Sequence, residues 1–195
     1  MSHIDDAARD LLYREARTHN GFQNRDVPDA LLREALELAK WGPTSANCSP
    51  MRLVFLRSAA ARKRLEPALD PGNHDKTMAA PVVAIVAYDL AFHDLLPRLY
   101  PATDAKSWFV GKEALIEETA FRNGTLQAAY FLLALRGVGL DVGPMSGFDR
   151  KKVDAEFFPD GKIRSNFLMN IGFGDPAKLW PRGPRLEFGE IAQIL

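Results

Sequence analysis

The residues of this chain that could do chemistry lie in four polar, turn-rich segments and near the end of the sequence. They are Arg17, Thr18, His19 and Asn20; Thr44, Ser45 and Asn47; Asn73 and Lys76; Ser146 and Gly147; and Arg182 and Arg185. Arginine forks bind phosphate oxygens, and hydroxyl and amide groups add further hydrogen-bond donors. Such a set would suit a phosphorylated ligand with a polar heterocycle. Composition and spacing alone nevertheless favour the alternative that these are ordinary turns, since Gly, Pro, Asn and Ser are turn residues in any case.

Cys48, the single cysteine of the chain, allows a second kind of chemistry. Its thiol could be a nucleophile paired with His19 or His74, as in thiol-dependent hydrolases and transferases. The alternative is a small residue that fills the turn before Pro50. No basic residue is evident beside Cys48 to stabilise a thiolate, so the second interpretation is favoured.

Two further pairs have both a functional and a structural interpretation. Glu118 and Arg122 are spaced i, i+4, which favours an ordinary intrahelical ion pair over a charge pair in a site. Trp108 and Phe109 either line a substrate pocket or anchor a loop through their buried area, and the sequence leaves both open.

Composition and missing motifs exclude several classes of protein. The 25 basic and 25 acidic residues cancel, which disfavours a nucleic-acid binder that depends on surplus positive charge. A single cysteine excludes an intramolecular disulfide and a multi-cysteine metal site. The sequence contains no GxGxxG, P-loop, HExxH or GxSxG motif. Rossmann enzymes, P-loop NTPases, zinc enzymes and α/β-hydrolases are therefore disfavoured, and we expect no metal site.

Length and hydropathy predict one domain over residues 1–195. No stretch of 18 apolar residues is present, so we expect no membrane-spanning segment. The acidic start of the sequence lacks the long apolar run of a secretory signal. We therefore expect a soluble, cytoplasmic protein.

Hydrophobic periodicity predicts helices and strands that intermix along the chain, which indicates an α+β or α/β fold built on one sheet. Helices are predicted over 5–16, 28–41, 58–69, 113–138 and 149–158, and strands over 51–57, 82–88, 140–145 and 163–174. Residues 71–76 are predicted as a turn and 89–112 as an irregular surface excursion. The strand 82–88 is β-branched and apolar throughout, which predicts burial on both faces. The stretch 126–135 is nearly all apolar, so we expect cover on all sides, centrally or by a second subunit.

Five segments in sequence order resemble the FMN-dependent nitroreductase family over nearly the whole chain. They are ARTHNGF, KWGPTSANCSP, GNHDKTMAAP, ETAFRNGTLQAAY and GLDVGPMSGFD. The resemblance is closest to a short-chain, RutE-type branch that reduces malonic semialdehyde in pyrimidine breakdown. The segments KWGPTSANCSP and GLDVGPMSGFDR are the most specific.

The resemblance implies an α+β fold with a central mixed sheet flanked by helices, in an intertwined homodimer. Two FMN molecules would lie at the dimer interface, each touched by both subunits. Carried over by position, Arg17, Thr18 and Asn20 would meet the phosphate and the ring edge, with His19 beside them. Arg182 and Arg185 would complete the phosphate cradle.

The other implied contacts concern the flavin ring and the partner subunit. Segment 43–47 would come from the partner, through Pro43, Thr44, Ser45 and Asn47. Asn73 and Lys76 would face the polar edge of the ring, and Ser146 and Gly147 would offer backbone donors near N5.

The implied activity depends mainly on the cofactor, which the protein binds, orients and tunes. NADH or NADPH would pass hydride to the flavin and leave, and a small acceptor would then take the hydride, which gives ping-pong kinetics. The resemblance favours malonic semialdehyde as the acceptor and 3-hydroxypropionate as the product. Lys76 would stabilise the anionic reduced flavin, and residues 89–112 would govern substrate choice. The alternatives are a broad nitro- or quinone reductase and a non-catalytic FMN binder.

Overall fold

A four-stranded sheet forms the centre of the computed structural model, which describes residues 3–195. Its strands are β1 (Met51–Leu56), β2 (Val82–Asp89), β3 (Asp141–Met145) and β4 (Ile163–Gly172), in the order β1-β2-β4-β3. All three pairs of neighbouring strands are antiparallel. The sheet is therefore antiparallel, where the resemblance implies a mixed sheet, and an isolated parallel bridge joins Thr18 to Val142 beside it.

Helices of very different lengths surround the sheet. They are α1 (Asp6–Arg9), α2 (Asp29–Ala39), α3 (Ala59–Leu65), α4 (Pro71–Met78), α5 (Leu96–Leu99), α6 (Glu113–Gly137), α7 (Arg150–Phe157) and α8 (Phe188–Ile191). The α+β fold is therefore present as predicted. Most predicted bounds lie within two residues of the observed ones. No helix among residues 3–195 is both long enough and apolar enough to cross a membrane.

Strand β2 is buried on both faces, as its apolar sequence predicts. Val82, Ala84 and Val86 pack into one hydrophobic cluster, while Val83 and Ile85 pack into the other. The alternation follows from the two-residue period of a strand, which sends successive side chains to opposite faces. β2 thus divides the hydrophobic core into two layers.

The prediction that the stretch 126–135 is covered on all sides holds for only one face of α6 in the single chain. Ala128 and Phe131 are fully buried against the sheet. Phe121, Leu126 and Tyr130 are 40–44% exposed. A helix of 25 residues that packs against one sheet can bury only one side, so its other apolar side faces outward in this chain.

Two predicted segments differ from the structure. Residues 71–76 form most of helix α4 rather than a turn, because Pro71 at the first helical position pre-sets a helical backbone angle. The predicted helix 5–16 divides into α1 and a π-helical turn over Asp10–Arg14. The side chain of Asp5 caps α1 by accepting a hydrogen bond from Ala8 N at 2.8 Å.

The excursion 89–112 is irregular, as predicted, with short helical turns at its centre. Phe109 is buried and meets the ring of Phe92 edge-on, with ring centroids 5.0 Å apart. Phe109 therefore anchors this segment. Trp108 remains 44% exposed beside Tyr100.

The pair Glu118 and Arg122 forms an ion pair on the exposed surface of α6. This is the intrahelical arrangement that the i, i+4 spacing favours. Pairs of this kind stabilise a helix by about 0.2–0.5 kcal/mol, so its contribution is small.

Candidate functional site

An open cavity of about 690 Å³ lies between the N-terminal segment, the end of α6 and the C-terminal tail. Six of its lining residues are cations, namely Arg14, Arg17, Lys76, Arg136, Arg182 and Arg185. Among residues 3–195, no carboxylate lines the cavity. Such a one-signed lining focuses positive potential inward and favours an anionic ligand.

Segment 17–20 is held on the sheet by backbone contacts with β3. Thr18 forms a parallel bridge with Val142, and His19 N donates to Val142 O at 3.0 Å. The approach is close because residue 143 is glycine. A Cβ at Gly143 would lie only 2.2 Å from the carbonyl oxygen of His19. Gly143 therefore allows the segment that carries Arg17 to dock on the sheet.

The C-terminal tail is tied to the same segment by two arginines. Arg17 Nη2 donates to the carbonyl oxygen of Trp180. In the other direction, Arg182 Nη2 donates to Ala16 O at 3.3 Å. Each guanidinium carries five N–H donors, so both arginines keep donors for a ligand. These bonds bring residues from the two ends of the chain together around the cavity.

His19 is not among the lining residues of this cavity, although the resemblance places it beside the phosphate contacts. Its side chain is buried, and Nε2 lies 3.4 Å from Asp141 Oδ1. A Cβ at Gly174 would lie 2.1 Å from the ring. His19 therefore fills a tight space beside the sheet and fixes the backbone of its own segment.

Helix α4 brings Lys76 but not Asn73 to the cavity. Lys76 Nζ lies 3.5 Å from Asn20 Oδ1, and both residues line the cavity. Asn73 Nδ2 instead donates to Gly147 O at 3.0 Å. A Cβ at Gly147 would lie 2.0 Å from the same Nδ2 atom. Asn73 thus holds the turn at Ser146 and Gly147, and these three residues form a group outside the cavity lining.

The predicted residues of loop 43–47 also lie outside the cavity in this chain. Two buried amides of α6 hold this loop and the start of β1. Asn123 Oδ1 accepts from Ser45 N at 2.8 Å, and Gln127 Oε1 accepts from Met51 N at 2.9 Å. The two amides are one helical turn apart, so α6 holds both the loop, at Ser45, and the start of β1, at Met51.

This loop and the residues just after it include three non-glycine residues with left-handed backbone angles. They are Ala46, Asn47 and Ser49, with φ of 49°, 50° and 43°. Each such residue costs on the order of 1–3 kcal/mol and persists only where its surroundings enforce the conformation. Asn47 contributes to this by donating from Nδ2 to Leu99 O at 2.9 Å. Strained segments of this kind cluster at functional sites.

Cys48 does not have the surroundings of a nucleophile. The residue is fully buried among apolar side chains that include Tyr88 and Phe92. Burial raises the pKa of the Cys48 thiol, and hydrogen bonds from Thr44 and from the backbone only partly oppose it. His74 is engaged elsewhere, with its ring nitrogens 3.0 Å from Glu66 and 2.8 Å from Asp75. The structure therefore favours the packing role of Cys48.

Several residues that line the cavity were not identified from the sequence, among them Tyr13, Arg14, Arg136 and Trp180. Arg14 lies in the π-helical turn and forms ion pairs with Asp10 at 2.6 Å and Asp6 at 3.1 Å. A usable signal existed for Arg136, which is the only charged residue in the apolar second half of α6. No local pattern marked the others, because the fold alone brings them to the cavity.

The family model described as Nitroreductase family matches residues 13–173 of this chain. The chain therefore belongs to the nitroreductase family.

Curated relatives match the chain from end to end. A protein of Burkholderia lata, provisionally named NADH dehydrogenase/NAD(P)H nitroreductase, is 59% identical over 194 residues, and the match covers 100% of both chains. A protein of Stenotrophomonas maltophilia with the same provisional name is 58% identical over 195 residues, also with 100% of both chains covered.

Solved structures share the fold at much lower identity. A provisionally described nitroreductase of Bacillus subtilis superposes with a TM-score of 0.89 at 22% identity, covering 98% of this chain and 100% of that one. A provisionally described nitroreductase of Exiguobacterium sibiricum, solved in complex with FMN, gives a TM-score of 0.85 at 17% identity, with 100% and 99% of the chains covered.

Proposed function

We propose that the protein is an FMN-dependent NAD(P)H oxidoreductase that reduces a small acceptor, with malonic semialdehyde as the preferred one. The cation-lined cavity carries the proposal, because its six basic residues and lack of carboxylates suit a phosphorylated ligand. Its volume of about 690 Å³ lies within the roughly 300–1,000 Å³ typical of cofactor sites. Support also comes from the E. sibiricum neighbour, which is described with FMN, and from relatives whose names specify NAD(P)H.

The residues of the cavity fit the two parts of FMN. Arg17, Arg182 and Arg185 would hold the phosphate, since guanidinium groups bind phosphate oxygens through paired hydrogen bonds. Thr18 and Asn20 add an uncharged hydroxyl and amide on the same wall.

The flavin ring would receive a positive charge from Lys76 and backbone donors from the turn at Ser146 and Gly147. Bound FMN would supply hydride transfer from the nicotinamide to the acceptor, and water would supply the proton that an aldehyde oxygen needs. The ammonium group of Lys76 would stabilise the negative charge that develops on the ring. Asn73 contributes by holding the turn through the carbonyl oxygen of Gly147.

A homodimer completes the proposed site, because loop 43–47 lies outside the cavity of its own chain. In the dimer this loop would meet the FMN of the partner subunit. Phe121, Leu126 and Tyr130 on α6 are 40–44% exposed, and Leu186 and Phe188 in the tail are 63% and 64% exposed. This exposed apolar surface supports the proposed interface.

We therefore expect a stable dimer in solution. Static light scattering should give a mass near twice 21.7 kDa at low micromolar concentration. The physical reason is that obligate interfaces of this type generally bury more than about 2,000 Å² of largely apolar surface. A monomer that still binds FMN tightly would contradict the shared site.

The flavin and substrate proposals are tested in one sequence of measurements on purified protein. FMN should give a yellow complex after gel filtration and raise the thermal midpoint, since a ligand of the native state stabilises it by about 2.7 kcal/mol at 100 times its Kd. NAD(P)H should then bleach the flavin absorbance under nitrogen. Protein that retains no FMN and shows no thermal shift would refute the flavin proposal.

The reduced protein is next mixed with a panel of acceptors. We expect malonic semialdehyde to reoxidise it faster than simple nitroaromatics, and initial-rate plots against NAD(P)H at several acceptor levels to be parallel. The reason for this expectation is that KWGPTSANCSP and GPMSGFDR resemble the aldehyde-reducing branch. A preference for nitroaromatics or quinones would favour a broad reductase instead, which is the activity that the relatives' names indicate.

A further inference from the structure

Arg136 and Arg14 both line the cavity, but they differ in their charge partners. Arg14 is neutralised by ion pairs with Asp6 and Asp10. Within residues 3–195, no carboxylate oxygen lies within 4.0 Å of the Arg136 guanidinium. Among the described residues, its one side-chain hydrogen bond is from Nη1 to Leu12 O, at 2.9 Å.

The surroundings of Arg136 make an unneutralised charge costly. The side chain is half-buried in the last turn of α6, and burial lowers the pKa of its guanidinium while the more distant charge of Asp141 raises it. An arginine nevertheless keeps its charge in proteins. A partly buried cation without a close counter-ion loses hydration that the one hydrogen bond to Leu12 O replaces only in part, so an anion in the cavity would offset this loss.

The backbone beside Arg136 is also irregular. Leu12, which accepts its hydrogen bond, lies in the π-helical turn Asp10–Arg14. Such turns are frequent at functional sites. This bond fixes the guanidinium through Nη1 and leaves its Nη2 and Nε donors for a ligand.

We infer that Arg136 is a phosphate-binding residue, which donates to the FMN phosphate from the α6 side of the cavity. The inference rests on the proposed function, since it requires FMN in this cavity. It adds a ligand from α6 to those from segment 17–20 and from the tail. Arg136 also links phosphate binding to the π-helical turn through the carbonyl oxygen of Leu12.

Comparison of FMN with riboflavin, which lacks the phosphate, tests the inference. Dissociation constants for both are measured by fluorescence quenching in the wild-type protein, R136Q and R136K. The matched control is R122Q, which removes an exposed arginine of the same helix outside the cavity. In R136Q we expect FMN affinity to fall about tenfold to a hundredfold, as for loss of a hydrogen bond to a charged group. Riboflavin affinity should stay within about twofold, and R122Q should change neither.

The other outcomes contradict either the proposed function or the inference about Arg136. If wild-type protein binds neither flavin, the proposed function fails and the inference with it. If wild-type protein prefers FMN but R136Q keeps that preference, the inference alone fails, whether both affinities fall equally or not at all. If circular dichroism shows that R136Q does not fold, R136K decides. In R136K, FMN affinity should drop severalfold and the phosphorus NMR shift of bound FMN should move. If neither quantity changes, the inference is refuted.

Discussion

Replacing Arg17 by alanine is expected to weaken FMN binding by roughly thirtyfold to a thousandfold. Arg17 lines the cavity, and its remaining donors would meet the doubly charged phosphate. Truncating one partner of a buried, hydrogen-bonded charge pair costs about 2–4 kcal/mol, and each 1.4 kcal/mol is a factor of about ten in Kd. Isothermal titration with FMN measures the loss directly. Activity should fall at low FMN and recover substantially when FMN is added in excess.

The matched control is Arg9→Ala. Arg9 is an exposed arginine of α1 that pairs with Asp6 at 3.0 Å and does not line the cavity. Its removal should leave FMN affinity unchanged, because exposed ion pairs contribute little and this one is outside the cavity. Equal losses in the two variants would mean that Arg17 acts only through overall charge or folding.

Cys48→Ser separates the flavin proposal from the thiol hypothesis. The Cys48 thiol is buried and its pKa is raised, so it is poorly suited to form a thiolate. With wild-type folding confirmed by circular dichroism, activity should stay within a few-fold of wild type. A collapse of activity in this variant, together with an active Arg17→Ala protein that ignores added FMN, would instead support a thiol enzyme.

Patterns within single segments predicted much of the fold. The continuous apolar run of β2 and the two-face burial it implies are local properties, since successive side chains of a strand point to opposite faces. Helix α4 was missed because its polar sequence around Gly72 and Asn73 carries the same residues as a turn. The initial Pro71 and the burial of Thr77 against the core outweighed that composition.

The site was only partly predictable, because it is assembled from distant parts of the chain. The arginines of segment 17–20 and of the tail were identified through residue type and resemblance, and both meet at the cavity. Arg136 was not identified from the sequence, although it lines the same cavity. Sequence spacing could not show that α6 ends beside the first helical segment, since that proximity depends on long-range packing.

The residues expected around the flavin do not form one site in this chain. Some line the cavity, whereas Asn73 with the turn at Ser146 and Gly147 lies outside it, as does loop 43–47. The buried amide of Asn123 holds this loop at Ser45, and that of Gln127 holds the start of β1 at Met51. Both amides are buried, and the side-chain oxygen of each accepts one backbone N–H. α6 therefore holds the loop that is proposed to reach the partner subunit and also supplies Arg136 to the chain's own cavity.

Gly143→Ala is expected to lower the free energy of unfolding by about 3 kcal/mol, the upper part of the usual range for overpacking. The added Cβ would lie 2.2 Å from the carbonyl oxygen of His19, and this neighbour is backbone rather than a flexible side chain. Segment 17–20 would have to move away from β3, which breaks the hydrogen bond from His19 N to Val142 O. FMN affinity should fall as well, because Arg17 moves with this segment.

Gly72→Ala is the matched control, because it adds the same methyl group where nothing lies within 4 Å. Gly72 is the second residue of α4, so alanine should leave the unfolding free energy unchanged or raise it by up to about 1 kcal/mol. Urea denaturation without FMN measures both stabilities, and FMN titration under native conditions measures both affinities. If Gly143→Ala keeps wild-type stability and affinity, close docking of segment 17–20 on β3 does not position the phosphate site. If it loses stability but binds FMN normally, the docking supports the fold alone, and Arg17 reaches the ligand without it.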